Sequence, residues 1–121
     1  MKRKILIVED NVGLSQIQKD WLSQAGYEAV TAMSEPIARS LIRKTQFDLI
    51  LSDVRLPEGD GISLLEWLRK EKKDIPFIIT TEYVSVPDVV RTIKLGARDY
   101  LPKPVHRDYL LELAEDIFLS L

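Results

Sequence analysis

Five short apolar runs, each followed by a segment of helical period, constrain this chain more than anything else in its sequence. The runs are "ILIV" (5–8), "EAVTA" (28–32), "LILS" (49–52), "FIIT" (77–80) and "DYL" (99–101). Short continuous runs rich in Ile, Val and Leu suit strands covered on both faces, because a half-exposed strand alternates apolar with polar residues. The first helical segment puts Leu14, Ile17, Trp21, Leu22 and Ala25 on one face and stops near Gly26. The second starts after Ser34, with Pro36 in its first turn and Ile37, Leu41 and Ile42 facing in. A third runs from about Ile62 through Leu64, Leu65 and Leu68 to a polar, solvated end, "RKEKKD". The fourth lies near 87–95 and stops at Gly96; the fifth follows Pro104 and carries Tyr109, Leu110, Leu113, Ala114 and Ile117. Strand and helix alternating five times predict an α/β fold, a parallel sheet with helices on both faces, in one domain over residues 1–121. Ligands of such sheets gather beyond the carboxyl ends of the strands, so chemistry is sought there.

Composition narrows the classes. With 45% apolar and 30% charged residues the chain is globular, and a net charge of -2 offers phosphate backbones no general attraction, so no direct nucleic-acid binding is expected. The absence of cysteine removes disulfide and thiolate chemistry and is compatible with a reducing cytoplasm, the expected location. "MKRKILIVED" has an apolar run too short for a signal peptide or a membrane span.

The first run leads straight into Glu9 and Asp10, and the third into Asp53. One acid after a strand is ordinarily a helix cap or a solvated charge. Three at one sheet edge repel, by roughly 1 kcal/mol per pair at about 4 Å in water and more beside low-dielectric walls. A cation relieves them, and all-oxygen ligands with retained waters suit Mg²⁺, with Mn²⁺ as a substitute. A second relief is Lys103, set between Pro102 and Pro104, which restrict the backbone there. Carboxylates, a fixed ammonium and a hydroxyl from "ITT" together suit phosphoryl transfer to a carboxylate, which asks mainly for positioning and charge cancellation.

In these residues the chain resembles the receiver domain of bacterial response regulators. "ILIVEDN", "LILSDVRLPEGDG", "PFIITTEY" and "LGARDYLPKP" carry the resemblance, in order and over nearly the whole length. It implies a flavodoxin-like (CheY-like) doubly wound sheet of five parallel strands, order 2-1-3-4-5, with five flanking helices. It implies Asp53 as the phosphorylated aspartate, and Glu9, Asp10, Asp53 and the backbone carbonyl of Arg55 as metal ligands. Lys103 is the implied partner of the phosphoryl group and Tyr100 the switch aromatic, while Pro57 and Gly61 match the turn after the acceptor. Counting from Pro76 puts the switch hydroxyl at Thr81 and leaves Thr80 a strand-end role. The implied activity is a phosphorylation switch, with weak self-phosphorylation and acyl-phosphate hydrolysis. The implied donor is a sensor histidine kinase or phosphotransfer protein. The face of helix four, strand five and helix five, with Arg91, Lys94, Arg98, Asp99, Tyr100 and Tyr109, is implied for output or a homodimer. "SDVRLP" is similar to receivers of the nitrogen-regulator type, which precede an effector, and the helical spacing of "EDIFLSL" fits a continuation into one; a stand-alone receiver is the alternative.

Three residues depart from the family pattern. Glu82 follows the switch threonine where a small residue is usual, Gly59 stands where a bulkier one is frequent, and "KPV" replaces "KPF". Glu82 frames an alternative, a receiver-like interaction module whose acceptor pocket is obstructed. Against it stand five intact site residues: Glu9, Asp10, Asp53, Thr81 and Lys103. A flavodoxin-like nucleotide binder would want a Gly/Ser/Thr-rich loop after the first strand, where "EDNVGLS" is acidic. A phosphohydrolase with an aspartyl nucleophile would want a second acid two residues on, where Arg55 stands. His106 reads as a surface or first-turn residue, and Trp21 and Trp67 as packing residues at the core border.

Overall fold

The computed structural model describes residues 2–121, so of the expected domain only Met1 lies outside the described residues. In chain order the elements are β1 (Lys4–Val8), α1 (Val12–Gln24), β2 (Glu28–Ala32), α2 (Glu35–Lys44), β3 (Leu49–Asp53), α3 (Gly61–Lys70), β4 (Phe77–Thr81), α4 (Val86–Lys94), β5 (Asp99–Pro102) and α5 (Arg107–Leu119). The five strands pair in parallel in the order β2-β1-β3-β4-β5. This is the doubly wound sheet that the alternation and the resemblance lead one to expect.

Side chains of each strand divide between two cores, as the period of two requires. Leu6, Val8, Ile50, Phe77 and Ile79 join Ala38, Ile42, Leu64, Leu65 and Leu68 from α2 and α3. Ile5, Ile7, Leu49, Leu51 and Ile78 join Leu22 of α1 and Leu110, Ala114 and Ile117 of α5. Both faces are thus covered, which is why the runs are continuous rather than alternating. Four helices start on polar side chains that accept from the first turn: Asn11 from Leu14 N (2.9 Å), Ser34 from Ile37 N (3.4 Å), Asp60 from Ser63 N (2.6 Å) and Ser85 from Asp88 N (3.5 Å).

Two features go beyond the sequence reading. Arg55–Leu56 and Gly59–Asp60 form a small antiparallel ladder that folds the loop after β3 back on itself. And α4 is lightly held. Thr92 is its one buried residue. Its C-terminal end is tied to α3 by Arg69, whose guanidinium donates to the carbonyls of Leu95 (2.7 Å), Lys73 (2.9 Å), Ile75 (3.1 Å) and Gly96 (3.3 Å).

Candidate functional site

The carboxyl ends of β1, β3 and β5 bring Glu9, Asp53 and Lys103 together. Glu9 and Asp53 are only 3% and 7% exposed, whereas Asp10 faces solvent. The Lys103 ammonium donates to Glu9 Oε1 and to Asp53 Oδ2, each at 2.7 Å. The other oxygens are also engaged: Glu9 Oε2 accepts from Asn11 N at 3.1 Å, and Asp53 Oδ1 from Arg55 N at 3.2 Å. Burial pushes the Glu9 carboxyl above its ordinary range, against the pull of Lys103 and the Asn11 amide. For Lys103, burial acts downward but is outweighed by hydrogen bonds and charge from Asp53 and Glu9, which hold the ammonium above its ordinary value. The lysine therefore stays charged at the centre of the acids.

Carboxylate oxygens of Glu9, Asp10 and Asp53 lie within 4.8 Å of one another. That all-oxygen set, one member open to water, fits a hard divalent ion that keeps several waters. The acids line a cleft of about 600 Å³ whose rim includes Arg55, Glu82 and Tyr83. Glu82 is exposed there. The Arg55 guanidinium lies over the Tyr83 ring, 4.4 Å from its centroid, as a cation–π contact.

Close packing holds the backbone of Asp53. Gly61 N donates to Val54 O at 2.8 Å, and a Cβ on Gly61 would stand 2.2 Å from the Asp53 carbonyl oxygen and 2.9 Å from Ser52 Oγ. Gly61→Ala is therefore expected to lose about 1–3 kcal/mol or more, by overpacking against a backbone that cannot yield without moving Asp53. Urea unfolding measures it, and a variant as stable as the parent would contradict this packing.

Thr81 is buried at the end of β4. Its hydroxyl donates to Tyr83 O at 3.0 Å and accepts from Tyr83 N at 3.1 Å, so it is turned into the loop after β4 rather than toward Asp53. Its carbonyl accepts from Lys103 N at 2.7 Å, which links the two residues through the backbone. Thr80 lies opposite Asp53 in the ladder, and its carbonyl accepts from Val54 N at 3.0 Å. The Tyr100 ring packs against the α2–α3 core, and its buried hydroxyl sits near Thr81 and Ser85 without an ordinary hydrogen bond among the described residues. Burial, with the Asp88 charge adding to it, raises the Tyr100 phenol above its usual value.

His106 is exposed at the N-cap position of α5 and makes no side-chain cap. Trp21 borders the α1–α5 core, and Trp67 borders the other core under the guanidinium groups of Arg39 and Arg43, each 5.1 Å from its centroid. Glu35 looks in the sequence like an ordinary first-turn acid but is buried. Val86, Val90 and Ile93, which no motif singles out, fall at i, i+4 and i+7 on α4 and are all exposed.

A family model described as the response regulator receiver domain matches residues 5–115. The chain is 40% identical over 114 residues to the transcriptional regulatory protein ZraR of Salmonella typhimurium, covering 94% of this chain and 26% of that protein. It is 34% identical over 112 residues to the transcriptional regulatory protein GlrR of Escherichia coli K12, covering 93% of this chain and 25% of that one. The chain thus spans about a quarter of these curated relatives. Among solved structures, a CheY-like response regulator receiver domain protein from Methanospirillum hungatei JF-1 superposes with a TM-score of 0.92 at 32% identity, covering 98% of this chain and 96% of that one. The non-phosphorylated HemR receiver domain of Leptospira biflexa gives 0.90 at 38% identity, covering 99% and 96%.

Proposed function

The chain belongs to the response regulator receiver domain family, and on that premise we propose that it is a phosphorylation-driven switch of a two-component system with Asp53 as the acceptor. The observation that carries this reading is the Lys103 ammonium held at 2.7 Å from both Glu9 and Asp53, inside a carboxylate cluster at the sheet's carboxyl edge. Asp53 Oδ attacks the donor phosphorus, the bond to the donor nitrogen or acyl oxygen breaks, and Lys103 balances charge on the transferred group. Glu9, Asp10, Asp53 and the Arg55 carbonyl would hold Mg²⁺, which when bound neutralises phosphoryl oxygens. The donor is a phosphohistidine of a sensor kinase or phosphotransfer protein, with small acyl phosphates as substitutes.

The response runs through Thr81 and Tyr100. To reach a phosphoryl oxygen, the Thr81 hydroxyl gives up its two bonds to the Tyr83 backbone, each a net contribution of about 0.5–1.5 kcal/mol. A hydrogen bond to an ionised acceptor, worth about 1.5–3 kcal/mol, offsets much of that. The displaced threonine leaves room beside the unpartnered Tyr100 hydroxyl, giving a two-state element biased by one covalent group. The readout is the face of α4, β5 and α5, where Val86, Val90 and Ile93 add an apolar stripe to Arg91, Lys94 and Tyr109. That face suits a homodimer or an effector lying C-terminal in a longer cytoplasmic parent of the nitrogen-regulator type. Binding of beryllofluoride in the presence of Mg²⁺, followed by calorimetry, tests the site; no heat of binding would sink the reading.

The exposed rim position of Glu82 favours this function over an obstructed interaction module. Its effect should be electrostatic. Two unit charges about 8 Å apart in water interact by about 0.5 kcal/mol, and an anionic donor carries more than one charge. Glu82→Ala should therefore accelerate phosphorylation by acetyl phosphate about two- to fivefold at low salt, with the gain shrinking at high salt. An unchanged rate at every ionic strength would exclude a role for this charge.

A further inference from the structure

Glu35 opens α2, yet its side chain is turned away from water and only 4% exposed. An acid in the first turn of a helix ordinarily serves the helix dipole from the surface and needs no burial. Here the carboxylate is built into the loop that carries the acceptor. Glu35 Oε1 accepts from Asp60 N at 2.9 Å, and Oε2 accepts from Arg39 Nη2. Asp60 is the ladder partner of Arg55, two residues beyond Asp53. The guanidinium of Arg39 lies over the Trp67 ring, 5.1 Å from its centroid, which steadies the ion pair from α3.

Gly59 completes the arrangement. A Cβ on Gly59 would stand 2.0 Å from Glu35 Oε1, and its φ of +139° disfavours any side chain there. The carboxylate fills the space that a residue 59 side chain would otherwise take. The small residue at 59 and the buried acid at 35 are thus two halves of one device.

We propose that Glu35 is a positioning residue for phosphoryl acceptance: it pins the ladder strand opposite Arg55, and so fixes the Arg55 carbonyl and the Asp53 carboxylate relative to Glu9 and Asp10. It touches no reacting atom and acts through the Asp60 amide. The proposal rests on Asp53 being the acceptor.

The test compares Glu35→Ala and Glu35→Gln with the parent chain in three measurements: Mg²⁺ affinity by calorimetry, phosphorylation rate with acetyl phosphate, and exchange of the Asp60 amide by NMR. Thermal unfolding is recorded alongside. Loss of a hydrogen bond to a charged acceptor corresponds to roughly a ten- to hundredfold change when the acceptor is fully buried, and the lower end applies to this part-buried one. Glu35→Ala should exchange the Asp60 amide and release Mg²⁺ about tenfold more readily, and phosphorylate correspondingly slowly at subsaturating Mg²⁺. Glu35→Gln, which keeps one acceptor oxygen for the Asp60 amide but sets its own amide NH2 against Arg39, should recover the Asp60 protection and part of the Mg²⁺ affinity and rate. A purely structural role would lower the melting temperature and leave the Mg²⁺ affinity of the folded protein unchanged. Parent-like Mg²⁺ affinity and rate in Glu35→Ala would overturn the proposal, as would a Glu35→Gln variant as impaired as the alanine. If the parent chain itself takes no phosphate, the acceptor reading fails instead, and the Asp60 exchange still reports whether the Glu35 contact exists.

Discussion

Asp53→Asn is expected to abolish phosphorylation by acetyl phosphate, leaving less than about one hundredth of the parent occupancy, because an amide offers no nucleophilic oxygen comparable to a carboxylate. The variant should still fold. The substituted side-chain amide retains an oxygen for Arg55 N, and the Glu9–Lys103 pair at 2.7 Å is untouched. Circular dichroism and urea unfolding would establish that the loss is chemical rather than structural. Undiminished labelling would place the phosphate on another residue and remove Asp53 from its proposed role.

Lys103→Met should produce the second large effect, on stability as well as rate. The lysine is 9% exposed in its side chain and serves two acids at once. Removing one partner of a buried ion pair costs about 3–5 kcal/mol, and the open cleft on one side lowers that here to about 2–3 kcal/mol. Saturating Mg²⁺ should recover most of the loss, since a cation replaces the missing charge. The pH dependence has a definite sign. Burial and the Asp53 charge already raise Glu9 above 4.5, and without Lys103 they act with less opposition. A folded state that binds more protons than the unfolded one loses stability as pH rises, so the variant should weaken as pH climbs above about 4.5. Urea titrations with and without Mg²⁺, at two pH values, measure each part. A variant as stable as the parent at neutral pH without metal would contradict the charge balance described for the site. Loss of transition-state charge stabilisation should also slow phosphorylation by about 10²–10³-fold.

Much of this was legible in the residues, for physical reasons that can be named. Both-face burial makes strands continuous, so the five runs marked β1 to β5 within a residue or so. β3 and β4 each extend one residue further, to Asp53 and Thr81, because Asp53 pairs with Thr80 in the ladder, and the polar type of these residues hid their strand geometry. The acids and the lysine were legible because strand ends converge in a parallel sheet. The ladder at 55–60 was not. Of its residues only Leu56 is buried, so no hydrophobic period announces it. Counting from Pro76 points to Thr81 but says nothing of a hydroxyl's direction, which the Tyr83 backbone decides here. Spacing alone makes Val86, Val90 and Ile93 look like a core face, and only packing reveals that α4 buries Thr92 instead. Gly59 stood out as a departure from the family pattern, and the side chain that would crowd a larger residue there belongs to Glu35, 24 residues upstream and beyond the reach of any local motif.

Whether a phosphoryl group enters this chain at Asp53 is decided by chemical localisation of the adduct. The chain would be incubated with Mg²⁺ and acetyl phosphate, weighed intact, then reduced with borohydride, which converts an aspartyl phosphate to homoserine, and sequenced by mass spectrometry. The expected result is a gain of one phosphoryl group that requires Mg²⁺, with homoserine at position 53 alone. No adduct, or an adduct that survives reduction or maps to another residue, would contradict the account.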